Sequence, residues 1–268
     1  RRATKTMEKQ KLDPQRTLMD SAQCFHWRKT AHGYAAIVAG KPMFVRAGEV
    51  PEDGAYFDWD RDYGAIARRY AQFPALQRWM DALPGLRVLR QPVWEALVAF
   101  ILSSNNNAVR IRQLVWKVCA LGPQREIDGE PMRGFPTPEA LARAGAETLR
   151  QMGCGYRAEF LEHTARRVAD GFELDALRRM EYEQAREKRL TLHGVGPKVA
   201  DCVLLFGCAH TRAFPVDVWM ARAMERHFDM AGLSREQMRE KAQQIFGEDA
   251  GLVQQYIFHA MRTGLAEE

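Results

Sequence analysis

The stretch that decides the fold of this chain is LHGVGPKVADCV, residues 192–203. A helical pattern ends near Leu190, and the two glycines after it allow a tight turn with positive φ. Pro197 suits the first position of a new helix, where its missing N–H has no intrahelical partner. The apolar residues that follow recur at i, i+3, i+4 and i+7, namely Val199, Cys202, Val203 and Phe206. The stretch therefore predicts a helix-hairpin-helix whose second helix buries one face.

A hairpin of this kind directs free backbone N–H groups of the turn and of the second helix at one point. The positive end of the helix dipole favours an anion at the same point, so a phosphate group is the expected ligand. Backbone donors position a nucleic-acid strand without reading its sequence. The pattern alone is equally compatible with an ordinary turn between two helices.

Lys198 and Asp217 are the candidate chemical groups. Lys198 falls in the first turn of the second helix, where the dipole disfavours the ammonium form, and neutral lysine is a nucleophile. A solvated or phosphate-binding lysine is the simpler alternative. Asp217 begins a later helix and is compatible with a plain N-cap. A capping carboxylate beside a sugar could also stabilise an oxocarbenium ion or deprotonate a nucleophile.

The rest of the sequence predicts an α+β fold that is predominantly helical. Residues 1–12 are expected to form a flexible tail, and residues 13–60 a small N-terminal antiparallel β domain with strands at 24–27, 34–38, 43–45 and 56–59. From residue 61 the pattern is helical. Residues 61–103 with 191–268 form one predicted helical subdomain, which contains the hairpin and Asp217, and residues 104–190 form the other.

Composition excludes several classes of protein. The chain has 268 residues with 46% hydrophobic residues, so it can bury a core and is neither disordered nor fibrous. No apolar run approaches the roughly 20 residues of a membrane span, so no membrane partner is expected. The five scattered cysteines predict reduced thiols in a cytosolic compartment. A pI near 9.0 admits nucleic acid as a partner without requiring it.

Four motifs in order resemble the 8-oxoguanine DNA glycosylases of the helix-hairpin-helix glycosylase superfamily. They are QCFHWR at 23–28, FILSSNNN at 100–107, LHGVGPKVADCV at 192–203 with FPVDVW at 214–219, and QQYIF at 254–258. The lysine within the third motif is typical of the bifunctional branch of that superfamily.

The resemblance implies a base excision repair glycosylase and AP lyase that removes 8-oxoguanine paired with cytosine from duplex DNA. Lys198 would attack the sugar C1′ and form a Schiff base that undergoes β-elimination, with Asp217 as the acidic partner. The extruded base would lie between Cys202 and Phe258. Gln254 would bind its Watson–Crick edge, and the Ala22 carbonyl would accept the proton on N7.

The resemblance also assigns residues to contacts with the opposite DNA strand and to roles in the hairpin. By resemblance, Asn105, Arg110 and Arg157 hold the estranged cytosine, and Tyr156 wedges into the base stack. The backbone of Gly194, Gly196 and Val199 would contact the DNA backbone. Carbonyls of three hairpin residues match a structural cation site: Leu190, Leu192 and Val195.

Three positions depart from the family pattern. Ala22 stands where glycine is usual, so the base pocket has to accept an added methyl group. Trp219 stands where mammalian members have a histidine that contacts phosphate, and Met261 where they have the aspartate that orients that histidine. Because both members of the pair are replaced, neither is left without its partner, and a bacterial-type variant is indicated.

We expect no required cofactor, a monomer, and a cytosolic or nucleoid location in a bacterium or a nuclear one in a eukaryote. The four-cysteine iron–sulfur loop of related glycosylases is not expected, because it would follow Asp217 and the last cysteine here is Cys208. Two alternatives stay open: an alkylpurine DNA glycosylase, whose members generally lack the lysine, and a non-catalytic helix-hairpin-helix DNA-binding protein.

Overall fold

The computed structural model describes residues 12–267, so nearly all of the predicted tail lies outside the described residues. Leu12, assigned to that tail, is buried against the N-terminal sheet. The strands are β1 (Arg28–Lys29), β2 (Tyr34–Val38), β3 (Lys41–Val45), β4 (Gln124–Ile127) and β5 (Glu130–Arg133). The helices are α1 (Tyr63–Arg69), α2 (Pro74–Ala82), α3 (Val93–Leu102), α4 (Ala108–Val118), α5 (Pro138–Gln151), α6 (Arg157–Ala169), α7 (Tyr182–Leu190), α8 (Pro197–Phe206), α9 (Val218–His227), α10 (Arg235–Phe246) and α11 (Ala250–Thr263).

The N-terminal sheet is antiparallel, in the order β1-β2-β3. Strand β2 is buried on both faces, because Tyr34, Ala36 and Val38 pack in one apolar cluster while Ala35 and Ile37 pack in another. A two-residue turn at 39–40, with both φ angles positive, joins β2 to β3. The predicted α+β fold with a small antiparallel sheet near the N-terminus is confirmed.

A second sheet covers the other face of β2 and corrects the prediction that the pattern stays helical after residue 61. Strands β4 and β5 form a hairpin, and Ile127 and Met132 pack against Ile37. Its turn, Asp128-Gly129, has both φ angles positive. An Asp-Gly pair between two short strands is the sequence signal that could have predicted it.

Two of the predicted strands are wrong. Residues 24–27 precede β1 without pairing, and residues 56–59 form turns. Their aromatic side chains pack inward instead: Trp27 Nε1 donates to the Tyr56 hydroxyl at 3.0 Å, and the Phe57 ring lies edge-on to Tyr56. The aromatic content of these two segments therefore suggested strands, whereas in the structure the rings form a small core between turns.

Helix α8 lies at the centre of the helical part, packed between α3 and α7. Every residue of α8 from Val199 to Phe206 is buried, Asp201 included, so the prediction of a single buried face is wrong. The reason lies in the tertiary structure, because helices on both sides cover a segment whose sequence pattern predicts an amphipathic helix.

Helix α11 ties the two ends of the described chain together. Gln255 Nε2 donates to the Ser21 carbonyl at 2.9 Å, and the Tyr256 hydroxyl donates to the Leu86 carbonyl at 3.1 Å. Helix α11 also packs on α9. Within residues 12–267, none of the helices combines the length and apolar character that crossing a bilayer requires.

Candidate active site

The site is a cavity of about 1160 Å³ bounded by the 103–107 loop and by the first turns of α8 and α9. Eight of the site residues predicted from the sequence line it: Ala22, Asn105, Arg110, Gly196, Lys198, Val199, Asp217 and Phe258. The structure thus brings together groups separated by more than 230 positions in the sequence.

The hairpin forms as predicted, between the end of α7 at Leu190 and the start of α8 at Pro197. Only Gly194 uses a positive φ, +78°, because Gly196 is the extended N-cap of α8. Phe160 fills the space beneath the turn, where a Cβ on Gly194 would lie 2.4 Å from the ring. The Thr164 hydroxyl donates to the His193 carbonyl at 3.1 Å and fixes the turn to α6.

Backbone donors of the hairpin are available for an anion. Within the described residues, the amide N–H groups of Gly194, Gly196, Lys198 and Val199 donate no hydrogen bond, and the first α8 bond is that from Ala200 to the Gly196 carbonyl. A Cβ on Gly196 would meet no atom within 4 Å. The backbone there is open to close approach by a ligand.

Lys198 is half-buried in the first turn of α8. Its Nζ donates to the Ser103 Oγ at 3.3 Å and lies 5.4 Å from the centroid of the Phe100 ring. Ser103, at the end of α3, was not predicted as a site residue. Its position in the FILSSNNN motif, two residues before the asparagine run, was the available signal.

Asp217 is the N-cap of α9, and its Oδ1 accepts from the Met220 N–H at 2.8 Å. The interpretation of Asp217 as an N-cap is therefore correct for one of its two carboxylate oxygens, Oδ1. Because Asp217 is only half-buried and lines the same cavity as Lys198, capping does not remove it from the site.

Cys202 and Gln254 are not among the residues that line the cavity, and both are nearly fully buried. Burial raises the pKa of Cys202 to about 11, although the charge and hydrogen bond of Lys198 lower it, so the thiol is neutral. Gln254 Nε2 donates to the Pro215 carbonyl at 3.2 Å, and its Oε1 has no partner within the described residues. Gln254 and Phe258 are four positions apart on α11 and so share one face of it.

Ala22 adopts the left-handed region with φ +55° and is half-buried. This conformation gives a physical reason for the glycine that the family uses there. Its carbonyl accepts no hydrogen bond within the described residues. Neighbours hold the segment in place, since Gln23 donates to the Arg87 carbonyl at 2.8 Å and Ser21 accepts from α11.

Three of the four residues assigned to the opposite strand and the wedge contact one another, namely Asn105, Tyr156 and Arg157, and the fourth, Arg110, lines the cavity with Asn105. Asn105, with φ +50°, donates through Nδ2 to the Tyr156 hydroxyl at 3.2 Å. Arg157 is buried, donates to the Ser104 carbonyl through Nε at 2.8 Å, and lies 4.4 Å from the Tyr156 ring centroid. Arg110 is exposed and donates to the Gly153 carbonyl at 3.2 Å.

The hairpin also presents the three carbonyls assigned to a cation. The Leu192 carbonyl accepts from the Val195 N–H at 3.2 Å, whereas those of Leu190 and Val195 accept no hydrogen bond within the described residues. Carbonyl oxygens are ligands that suit hard cations, so the donor set fits the group that the resemblance implies.

A buried ionic network lies next to Lys198 and was missed by the sequence reasoning. Asp201 accepts from the Tyr182 hydroxyl at 2.6 Å and from Arg186 at 3.1 Å, and Arg186 pairs with Glu236 at 2.9 Å. Burial raises the pKa of Asp201 to about 6, although Arg186 lowers it. The network joins α7, α8 and α10, and a carboxylate inside an apolar run was its only sequence signal.

Comparisons with known proteins agree with this geometry. Residues 98–248 match the family model described as HhH-GPD superfamily base excision DNA repair protein. The probable N-glycosylase/DNA lyase of Methanothermobacter thermautotrophicus is 36% identical over 210 residues, covering 70% of this chain and 67% of that protein. The N-glycosylase/DNA lyase of Arabidopsis thaliana is 38% identical over 275 residues, covering 90% of this chain and 75% of that protein.

A solved structure extends the similarity to the whole described fold. The 8-oxoguanine glycosylase/lyase of Clostridium acetobutylicum, in complex with duplex DNA containing cytosine opposite 8-oxoguanine, superposes with a TM-score of 0.88. It is 29% identical and covers 95% of this chain and 93% of that one.

The chain therefore belongs to the HhH-GPD superfamily of base excision DNA repair proteins and, within it, to the 8-oxoguanine DNA glycosylase family. It is an enzyme of the N-glycosylase/DNA lyase type, which confirms the enzyme class predicted from the sequence.

Proposed function

We propose that this protein removes 8-oxoguanine from opposite cytosine in duplex DNA and then cleaves the strand through a Schiff base on Lys198. The observation that carries the proposal is that Lys198, in the first turn of α8, and Asp217, the N-cap of α9, line one cavity beside a hairpin with free backbone donors. The DNA duplex is the partner, bound by a monomer in the compartment that holds the chromosome.

The chemistry follows from these two groups. The neutral Lys198 amine attacks C1′, the bond from C1′ to N9 breaks, and the departing base takes up a proton. Asp217 stabilises the positive charge that develops on the sugar. Opening of the sugar gives a protonated Schiff base, loss of a C2′ proton follows, and β-elimination breaks the C3′–O bond.

Recognition of the damaged base is assigned to Ala22 and Phe258, which line the cavity, and to the buried Cys202 and Gln254. The neutral Cys202 thiol and the Phe258 ring would face the two sides of the extruded base. The Gln254 Oε1, which is buried without a partner, would accept from the N1 and N2 donors of the guanine edge. The free carbonyl of Ala22 would accept from N7–H, which guanine lacks and 8-oxoguanine has.

Binding to the intact part of the duplex is assigned to two surfaces. The unpaired amides of Gly194, Gly196 and Val199 would hold a phosphate of the lesion strand. On the other strand, Asn105, Arg110 and Arg157 would hold the estranged cytosine, while Tyr156 replaces the lost stacking.

No cofactor enters the proposed reaction. The carbonyls of Leu190, Leu192 and Val195 would hold a cation that shapes the hairpin and adds positive charge next to the phosphate. Because these oxygens belong to the backbone, the side chains at the three positions do not take part in this role.

Borohydride trapping tests the proposal. Native protein is mixed with an 8-oxoguanine:cytosine duplex and sodium borohydride, and a covalent protein–DNA adduct is expected, together with its loss in Lys198→Gln. Absence of an adduct, or an equal adduct in the variant, would reject the lysine mechanism. Release of methylated purines without an adduct would favour an alkylpurine glycosylase, and binding without base release would favour a non-catalytic protein.

A further inference from the structure

Four of the six large hydrophobic residues that are well exposed in the described part of the chain lie at or beside the catalytic cavity. Within residues 12–267, the large hydrophobic residues that are well exposed are Val50, Val109, Tyr156, Leu190, Val218 and Trp219. Val109, Val218 and Trp219 line the cavity itself. Tyr156 is bonded to Asn105 on its rim. An apolar rim around a polar site marks a surface that a ligand covers.

Trp219 is the largest member of this rim, and the reaction chemistry gives it no role. It lies two residues after Asp217 in the first turn of α9, and 42% of it is exposed. The guanidinium carbon of Arg222 lies 5.6 Å from its ring centroid. Arg222 is exposed, and within the described residues no carboxylate lies within 4.0 Å of it. An indole face beside an uncompensated cation is chemically suited to a nucleotide, with its apolar base and sugar and its anionic phosphate.

We propose that Trp219 and Arg222 bind the nucleotide that adjoins the extruded one in the lesion strand. The indole packs on the base and deoxyribose of that nucleotide, and Arg222 pairs with its phosphate. This assignment rests on the proposed function, because it places the reacting sugar at Asp217.

Extrusion of a nucleotide supports this occupant, because it removes a stacking partner from each of the two neighbouring bases. Trp219 is an exposed indole two residues from the carboxylate assigned to the reacting sugar. In this assignment it covers one of the two faces that extrusion leaves without a partner.

The test uses a duplex with a tetrahydrofuran abasic analogue opposite cytosine, which the enzyme can bind but not cleave. The dissociation constant is measured by fluorescence anisotropy at several salt concentrations. We expect Trp219→Ala to weaken binding about 10-fold and Trp219→Phe by less than about 3-fold. Arg222→Gln should lower the slope of log Kd against log salt by about one.

A matched control comes from another indole that has an arginine over its ring, away from the first turn of α9. Trp116 has the Arg28 guanidinium 4.1 Å from its centroid and lines a separate hollow near β1. Trp116→Ala should bind the abasic duplex within about 2-fold of native.

Removing a base from the DNA identifies the neighbour. Two further duplexes lack a second base, on the 5′ or on the 3′ side of the analogue. The native protein should bind one of these two duplexes more weakly than the original duplex. Trp219→Ala should bind that same duplex no more weakly than it binds the original one. The inference would be overturned if the losses of affinity from the substitution and from the missing base add fully on both sides. It would also be overturned if Trp219→Ala binds the abasic duplex like the native protein. A change in sedimentation with unchanged DNA affinity would assign the surface to self-association instead.

These outcomes are separable from failure of the proposed function. If native protein excises 8-oxoguanine and Trp219→Ala binds like it, the inference about Trp219 alone is rejected. If native protein does not prefer the abasic duplex to an undamaged one, the proposed function itself is rejected.

Discussion

The ring of Phe160 lies directly beneath Gly194, so close that a Cβ at position 194 would stand 2.4 Å from its Cγ. The same ring lies edge-on to Tyr156, with centroids 5.6 Å apart. One half-buried phenylalanine of α6 thus supports both the turn assigned to phosphate and the ring assigned to the base stack.

Gly194→Ala is expected to destabilise the fold by about 3 kcal/mol, through a positive φ and an overpacked contact with Phe160. DNA binding should weaken as well, because the turn moves. Gly232→Ala is the matched control: its φ is +79° and a Cβ there meets nothing within 4 Å. That variant should lose only about 1 kcal/mol. Equal losses in urea unfolding would show that the Phe160 contact is unimportant.

Asp217→Asn is expected to keep α9 folded and to slow base release. Asparagine caps helices as well as aspartate does, but it carries no charge to stabilise the sugar cation. The measurement is single-turnover excision alongside thermal unfolding. Thr137→Ala, which removes the side-chain cap of α5, should instead lose about 1 kcal/mol and keep its rate. Unfolding of Asp217→Asn with no active folded fraction would leave capping as its role.

Ser103→Ala should slow the chemical step about 3- to 10-fold without changing DNA affinity. Its hydroxyl accepts from Lys198 Nζ at 3.3 Å, and a hydrogen bond of this kind contributes about 1 kcal/mol to holding the amine in place. Rates of excision and of borohydride trapping should fall together. A native rate in the variant would show that Phe100 and the helix suffice to position the lysine.

Stability is expected to fall as pH rises from about 6.5 to above 8, because of Glu95. Burial raises the pKa of Glu95 from 4.5 to about 8, so the native state holds a proton that the unfolded chain has released. The free energy of unfolding should fall by at most about 1.4 kcal/mol per pH unit. Glu95→Gln should flatten this dependence on pH, since an amide can still accept from the Ala39 N–H.

Below pH 6.5 the neighbouring histidine acts in the opposite direction. His26 Nε2 lies 3.9 Å from Glu95 Oε2, and burial lowers the pKa of His26 to about 3. Protonation of His26 in the unfolded chain therefore destabilises the protein as pH falls through 6.5. At neutral pH the pair consists of two uncharged groups. Urea unfolding of native protein and Glu95→Gln at several pH values would separate the two effects, and parallel curves above pH 6.5 would contradict the assignment to Glu95.

The sequence predicted local features better than long-range ones. The hairpin follows from Gly194 and Pro197, whose backbone preferences act within a few residues. The turn at Asp128-Gly129 carried an equally local signal that went unused. The aromatic residues at 56–59 were misassigned because their packing against Trp27 depends on distant parts of the chain. The side chains linked to Asp201 lie on α7 and α10, and no spacing rule connects those helices with α8.

The same distinction between local and long-range features applies to the candidate site residues. Lys198 and Asp217 stand out because each opens a helix at a recognisable signal. Ser103 opens no helix, and its importance rests on where α3 ends in space, next to the Lys198 amine. The unpaired Oε1 of Gln254 is likewise a property of the packed structure, since Pro215 occupies only the other end of the amide.

The bond from Gln255 to the Ser21 carbonyl has a consequence for the order in which the enzyme is made. It joins positions 234 residues apart, and the segment next to Ser21 supplies the carbonyl assigned to 8-oxoguanine. During synthesis, Lys198 and Ser103 leave the ribosome before α11 does. A growing chain therefore contains the proposed nucleophile before α11 can bond to the segment that carries Ala22. Under the proposed function, the wall assigned to 8-oxoguanine is completed only after both of the groups assigned to the chemistry have been made.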